Sequence, residues 1–237
     1  MSSLRSRLNA LQQRIISAQV ATSRQDNAVR LVAVSKTVPC DGILAAYRLG
    51  LREFAESYVQ EALPKLRALG HCDITWHFIG PIQSNKSRLI AERFQWVHSV
   101  DRLKIAERLN EHRPCELPPL NVCLQVNVSG ETTKAGVTLA ELPALASAVG
   151  LLPRLRLRGL MTIPAPDQPF EAERAAFRAV RLALEALRDP GLDTLSMGMS
   201  DDLEAAIMEG ATLVRVGSAL FGARPAKPVA LTASGRT

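Results

Sequence analysis

Short apolar runs of strand character recur along the chain at residues 31–35, 52–55, 75–80, 96–100, 120–128, 155–161, 194–197 and 213–217, and between them apolar positions fall at helical spacing. About eight such βα units predict a closed parallel barrel. An open doubly wound sheet of this length usually carries a G-x-G-x-x-G fingerprint, and the chain has none. The expected fold class is therefore α/β, a single (β/α)8 TIM-type barrel with an extra N-terminal helix.

Helix signals punctuate the pattern. Ser84 or Asn85 stands before residues 87–94, Asp101 before 103–109 and Ser200 before 201–208, each a residue type that caps helix N-termini. Gly50, Gly70, Gly150 and Gly210 follow helical stretches, where left-handed C-terminal caps are expected. No proline- or serine-rich linker divides the series, so residues 1–224 are expected to form one domain and residues 225–237 a flexible tail. The first 25 residues hold no acid and carry Arg5, Arg7, Arg14 and Arg24 among several serines, the composition of an organelle transit peptide. Leu4, Leu8, Leu11 and Ile15 also make a helical stripe there, and a helix packed on the barrel is the expectation for residues 1–25.

Composition narrows the classes of function. With 237 residues and 47% hydrophobic content the chain can bury a full core. Cys40, Cys72, Cys115 and Cys123 have neither metal nor redox spacing and predict free thiols in a reducing, cytoplasmic setting. No stretch approaches the roughly 18 apolar residues of a membrane span. The net charge of +6 permits attraction to nucleic acid or phosphate esters, but the basic residues are scattered and only 4% of residues are aromatic, too few for stacking platforms. His71, His77, His98 and His112 close no metal site with the cysteines, so no metal is expected.

In a barrel the residues just after each apolar run meet at one face, however distant in sequence. Lys36 lies at the first of these ends. A lysine at the mouth of a buried strand loses hydration, its pKa falls, and it becomes an amine nucleophile able to capture an aldehyde. The plain alternative is a lysine that ends the strand in solvent. Ser57 and Tyr58 follow the second run, His77 and Gly80 belong to the third, and the last two runs supply Met199, Ser200, Arg215, Gly217 and Ser218. The turns at 198–200 and 217–218 would present backbone N–H groups to a phosphate, although Asp201 and Asp202 would repel one unless they point away, and ordinary helix capping accounts for the same residues. Arg215 needs a partner if it points inward: a ring nitrogen would serve, and so would a salt bridge to Glu204 or Glu209. His77, flanked by Trp76 and Phe78, suits either the pocket or a hydrogen-bonded core position.

Six segments extend this pattern: AVSKT at 33–37, FAESYVQE at 54–61, WHFIGPIQSNK at 76–86, LRLRGLMTIP at 155–164, LSMGMSDD at 195–202 and VRVGSALFG at 214–222. With them the chain, from about residue 31 to residue 224, resembles the pyridoxal phosphate homeostasis protein family, whose barrel is similar to the N-terminal domain of alanine racemase. The resemblance implies that Lys36 carries pyridoxal 5'-phosphate as an internal aldimine. It implies that Met199, Ser200, Gly217 and Ser218 hold the phosphate and that Arg215 faces the pyridine nitrogen, donating to it without protonating it. Ser57 and His77 complete the expected cofactor-binding set. The family usually shows glycine and asparagine where this chain has Ala55 and Ser57, in the turn expected to touch the ring.

The implied role is to sequester, buffer and supply the cofactor and related vitamers, as a monomer making transient contacts with apoenzymes. The alternative is an amino-acid enzyme of the alanine racemase type. Moving a proton between the faces of a substrate needs a base on each, and Lys36 supplies one. Tyr47 and Tyr58 are the only tyrosines, and neither is expected opposite Lys36. Alanine racemases add a C-terminal β domain and a tyrosine from a partner subunit, whereas this sequence ends shortly after its eighth run, so no catalytic residue is expected. A basic module for nucleic acid is the third hypothesis and the least supported.

Overall fold

Strands buried on both faces read as unbroken aliphatic runs, and the eight runs do line up as the wall of one barrel. A computed structural model describes residues 3–24, 28–131 and 134–222, so the tail expected at 225–237 lies outside the described residues. The strands are β1 (Arg30–Val34), β2 (Glu53–Glu56), β3 (Thr75–Phe78), β4 (Trp96–Val100), β5 (Leu120–Val126), β6 (Leu155–Thr162), β7 (Thr194–Ser196) and β8 (Leu213–Val216). They pair in chain order, all parallel, and β8 returns to β1 with Arg30 opposite Leu213 and Ala33 opposite Val216. Around them lie α1 (Leu4–Ala21), α2 (Cys40–Arg48), α3 (Val59–Ala68), α4 (Ser87–Arg93), α5 (Leu103–His112), α6 (Leu142–Gly150), α7 (Phe170–Ala186), α8 (Leu203–Met208) and α9 (Ser218–Phe221).

Two apolar layers result from the inward and outward alternation along each strand. The larger fills the space between wall and helices, with Phe54, Phe78, Phe94, Ile105, Leu109 and Phe177 fully enclosed. The smaller lies inside the ring, around Val32, Val34, Ala55, Trp96, Cys123 and Met161. Trp96 closes the N-terminal mouth, where the guanidinium carbons of Arg30 and Arg158 lie 5.4 Å and 4.9 Å from its ring centroid.

The basic N-terminal segment is a helix packed on the barrel. Ser3 caps α1 by accepting from the Ser6 N–H, and Leu8, Leu11 and Ile15 are buried. The polar flank is tied to the end of the chain: Arg7 Nε donates to Leu220 O at 2.7 Å, and Arg14 donates to Glu204 Oε1 at 2.6 Å and to Ser200 O at 2.9 Å. Leu11→Ala should cost about 2–5 kcal/mol in urea unfolding, the range for an enclosed leucine. A loss below about 0.5 kcal/mol would show that α1 adds nothing to the fold.

Local expectations at four places are corrected. Ser84 and Asn85 do not cap α4: they lie in a short 3-10 turn, Ser84–Lys86, and Lys86 stands at the cap. Gly50 and Gly210 are left-handed, with φ of +101° and +100°, but Gly70 and Gly150 are not, and Gly150 is still the last residue of α6. The segment after Asp101 starts its helix at Leu103 with Arg102 at the cap, Asp101 being paired with the Arg102 guanidinium. Ser200 does not cap α8, which starts only at Leu203. The Met199 N–H donates to Asp202 Oδ1 at 2.5 Å, which folds residues 199–202 into a separate turn and leaves the Ser200 hydroxyl for α9. All four cysteines are free thiols, and no described helix is long and apolar enough to cross a membrane.

Candidate functional site

Lys36 stands two residues past β1, on a turn closed by the Val38 N–H donating to Ser35 O at 2.9 Å. Thr37 follows with φ +68°, a left-handed conformation that costs a β-branched residue about 1–3 kcal/mol. A charge network from β2 and α3 holds it there. The Thr37 N–H donates to Glu61 Oε1 at 2.5 Å; Lys65 Nζ donates to Glu61 Oε1 at 3.0 Å, to Glu56 Oε1 at 3.0 Å and to Ser35 O at 2.9 Å. The Ser35 hydroxyl donates to Glu56 Oε1 at 2.6 Å. Both backbone neighbours of Lys36 are thereby fixed.

Glu56 is wholly buried and Lys65 nearly so. Burial pushes the Glu56 carboxyl above its usual range, against the pull of Ser35 and Lys65. At Glu61 burial also acts upward, but hydrogen bonds from Lys65 and from the Thr37 N–H outweigh it and hold the carboxyl below its ordinary value.

Lys36 lines a pocket of about 220 Å³ at the C-terminal mouth of the barrel, together with Ser57, Met199, Ser200, Arg215, Gly217 and Ser218. Ile79 and Ile163 give it apolar wall, and Asp201 is its acid. Ser57 is set at the rim by a close crossing of two turns: a Cβ on Gly80 would lie 1.9 Å from Ser57 O, so only glycine fits there. Gly198, with φ +93°, turns the chain after β7. Beyond it the Ser200 hydroxyl accepts from the Ala219 N–H at 3.2 Å and from the Ser218 hydroxyl at 2.9 Å, which joins the last two turns.

Arg215 points into the barrel and is 3% exposed. Nη1 donates to Ser196 O at 2.6 Å and to Ser196 Oγ at 2.8 Å, and Nη2 donates to Thr162 O at 3.0 Å. No carboxylate bonds it among the described residues, because Glu204 pairs with Arg14 and Glu209 with Arg174 and Arg178. Burial lowers its pKa to about 10, so it remains a cation. A guanidinium has five N–H donors, and the three bonds leave Nε–H and one Nη2–H with no partner among the described residues, beside the pocket that Arg215 lines.

His77 is not part of the pocket lining, contrary to its place in the expected set. It lies within β3, opposite Ala55 and Trp96, fully buried, with its ring stacked on Trp96 at 5.6 Å. Because it precedes the strand end, the alternation of the strand turns it into the barrel below the pocket. Tyr58 is 59% exposed at the start of α3, and Tyr47 stacks under Arg52 at 4.0 Å, outside the pocket lining. The sequence reading missed Glu56, Glu61 and Lys65, although Glu61 and Lys65 have the i, i+4 spacing of a helical ion pair. It also missed His98, Ser196 and Thr162, which meet Arg215 or His77 only through strand register and left no local signal.

The chain matches the family described as alanine racemase, N-terminal domain, over residues 6–225. It is 60% identical to the pyridoxal phosphate homeostasis protein of Pseudomonas aeruginosa over 224 residues, covering 94% of this chain and 97% of that protein. It is 51% identical to the protein of the same name from Escherichia coli over 229 residues, covering 94% and 98%. The structure of PipY from Synechococcus elongatus, with PLP bound, superposes with a TM-score of 0.81 at 37% identity, over 93% of this chain and 100% of that one. Likeness of this extent means that the chain belongs to the pyridoxal phosphate homeostasis protein family.

Proposed function

We propose that the pocket holds pyridoxal 5'-phosphate on Lys36 and that the chain keeps, buffers and releases this cofactor without strong turnover of a substrate. The observation that carries the reading is Arg215: a buried cation with no carboxylate partner among the described residues, holding N–H donors that no described residue bonds, beside a pocket that also offers a lysine amine and three serine hydroxyls. When bound, the cofactor supplies an aldehyde that condenses with a primary amine and a phosphate that needs donors. Lys36 is the covalent anchor, and the rigid turn around it sets the direction of its side chain. Met199, Ser200, Gly217 and Ser218 line the end that takes the phosphate, where the Ser200 and Ser218 hydroxyls can turn from each other toward its oxygens. Ser57 stands at the edge of the ring. Arg215 donates to the ring nitrogen and, as a guanidinium, keeps its proton.

Lys36 and Asp201 are the groups of the described lining that can carry protons other than Arg215, and a two-base exchange needs partners on opposite faces. That supports holding over racemisation, as do the names of the relatives and the PLP in PipY. The same reading places the chain in the cytoplasm as a monomer that hands the cofactor to apoenzymes in transient contacts. Borohydride reduction of the loaded protein, followed by peptide mass mapping, should put a stoichiometric label on the Lys36 peptide. A label on Lys65 or Lys86 instead, or none, would overturn the reading. Racemisation of an amino-acid panel well above the rate of free cofactor would favour the enzyme.

A further inference from the structure

The interior of a (β/α)8 barrel is usually packed with branched aliphatic side chains. Here a row of polar groups crosses it. Arg215 Nη1 is 2.8 Å from Ser196 Oγ, Ser196 Oγ is 2.7 Å from His98 Nδ1, and His98 Nε2 is 2.9 Å from His77 Nδ1. His77 Nε2 then faces Glu53 Oε2 at 3.5 Å, and Glu53 pairs with Arg30 at the N-terminal mouth. Both histidines and Ser196 are fully buried.

The direction of every bond in this row is fixed from one end. Arginine has no acceptor, so Ser196 Oγ accepts from it. Among the described residues the hydroxyl proton then has one hydrogen-bond partner left, His98 Nδ1; were His98 to donate instead, a buried O–H would be left without a described partner. His98 therefore carries its proton on Nε2 and donates to His77 Nδ1, which leaves the His77 proton on Nε2; that atom faces Glu53 Oε2 at 3.5 Å but makes no hydrogen bond among the described residues, and the bonded row ends at His77. Trp96, stacked on His77 with 14° between the planes, keeps that ring from turning.

We infer that His98 and His77 are positioning residues for cofactor binding: through Ser196 they fix the orientation of the Arg215 guanidinium and so the direction of the N–H groups it offers to the pocket. Neither histidine touches the cofactor. Without His98 the Ser196 hydroxyl is free to rotate, its lone pairs leave Nη1, and the planar guanidinium loses one of its three anchors. The inference rests on the proposed cofactor reading and adds to it a specific role for residues outside the pocket.

The test uses the full chain loaded with pyridoxal 5'-phosphate. His98→Leu keeps bulk and removes the acceptor, whereas His98→Asn places an amide oxygen near the former Nδ1. His98→Leu should still be labelled by borohydride at Lys36, with a shifted cofactor absorption band and release faster by roughly tenfold, the equivalent of one lost hydrogen bond. His98→Asn should restore the band and bring release to within about twofold of the wild type. If His98→Leu does not fold, Ser196→Ala removes the same link with little change of volume and should show the same shift. Unchanged band and release rate in the folded variant, while Arg215→Ala alters both, would overturn the inference and leave the cofactor reading intact. Absence of Lys36 labelling in the wild type would overturn both.

Discussion

Lys65→Met is expected to destabilise the protein by about 3–5 kcal/mol, the cost of stranding a buried charge. Glu56 has no exposed surface, and its carboxylate is held by Lys65 and the Ser35 hydroxyl alone among the described side chains. Removing the ammonium leaves a desolvated anion, which takes up a proton and forfeits part of its bond to Ser35. The double replacement Glu56→Gln with Lys65→Met should recover most of the loss, because a neutral amide can lie there without a counter-charge. The effect also reaches function. Lys65 holds Ser35 O and supports Glu61, which holds the left-handed Thr37, so the turn carrying Lys36 loosens with it. Stability to urea and the rate of cofactor capture should fall together in Lys65→Met, whereas the double variant should recover stability but not capture, because Ser35 O and Glu61 still lack the ammonium. A single replacement that changes stability by less than about 1 kcal/mol would show the pair to be worth no more than a surface bridge.

Acid should weaken the fold before the ion-paired carboxylates of Glu61, Glu204 and Glu209 titrate. Burial lowers the pKa of His77 to about 3 and that of His98 well below 6.5, with the charges of Arg30 and Arg215 acting in the same direction. Both are neutral in the native barrel, while in the unfolded chain each binds a proton near pH 6.5. The unfolded state therefore holds more protons as the pH falls, so the stability present above about pH 6.5 is lost progressively toward the native values. Each histidine removes about 2 kcal/mol between pH 7.5 and pH 5, up to about 4 kcal/mol for the pair. Glu61, Glu204 and Glu209, held below their usual value of 4.5, add to the loss only at lower pH. Unfolding free energies at pH 7.5 and 5 should show this fall in the wild type and about half of it in His98→Leu. Equal stability of the wild type at both values would show that the rings are already charged or solvated in the native state.

The wall of the barrel was legible because strands buried on both faces carry their signal locally. The run at 96–100 coincides with β4, and the other seven differ from their strands by a residue or two at the ends. Lys36, Ser200 and Ser218 could be placed at one mouth because parallel closure sends every strand end the same way. His77 was misplaced because its height in the barrel depends on where β3 ends, and the strand stops at Phe78 rather than at Gly80. The partners of Arg215 were out of reach for a different reason. Ser196, Thr162 and His98 lie 19 to 117 residues away from it in sequence and meet it, directly or through Ser196, only by the register of separate strands. Gly70 and Gly150 show a further limit: glycine permits a left-handed cap without requiring one.

The clasp of α1 on α8 and α9 sets the order in which the molecule can be completed. The partners of Arg7 and Arg14 lie at the far end of the chain, α1 packs on α8 and α9, and β1 waits for β8 to close the ring. On the ribosome the apolar stripe of the first helix stays uncovered while nearly all the rest is made, about 10–40 s at an elongation rate of about 5–20 residues per second. Through that interval the nascent chain carries two unmatched surfaces, a greasy helix and an open strand edge, which is where chaperones and aggregation compete for it.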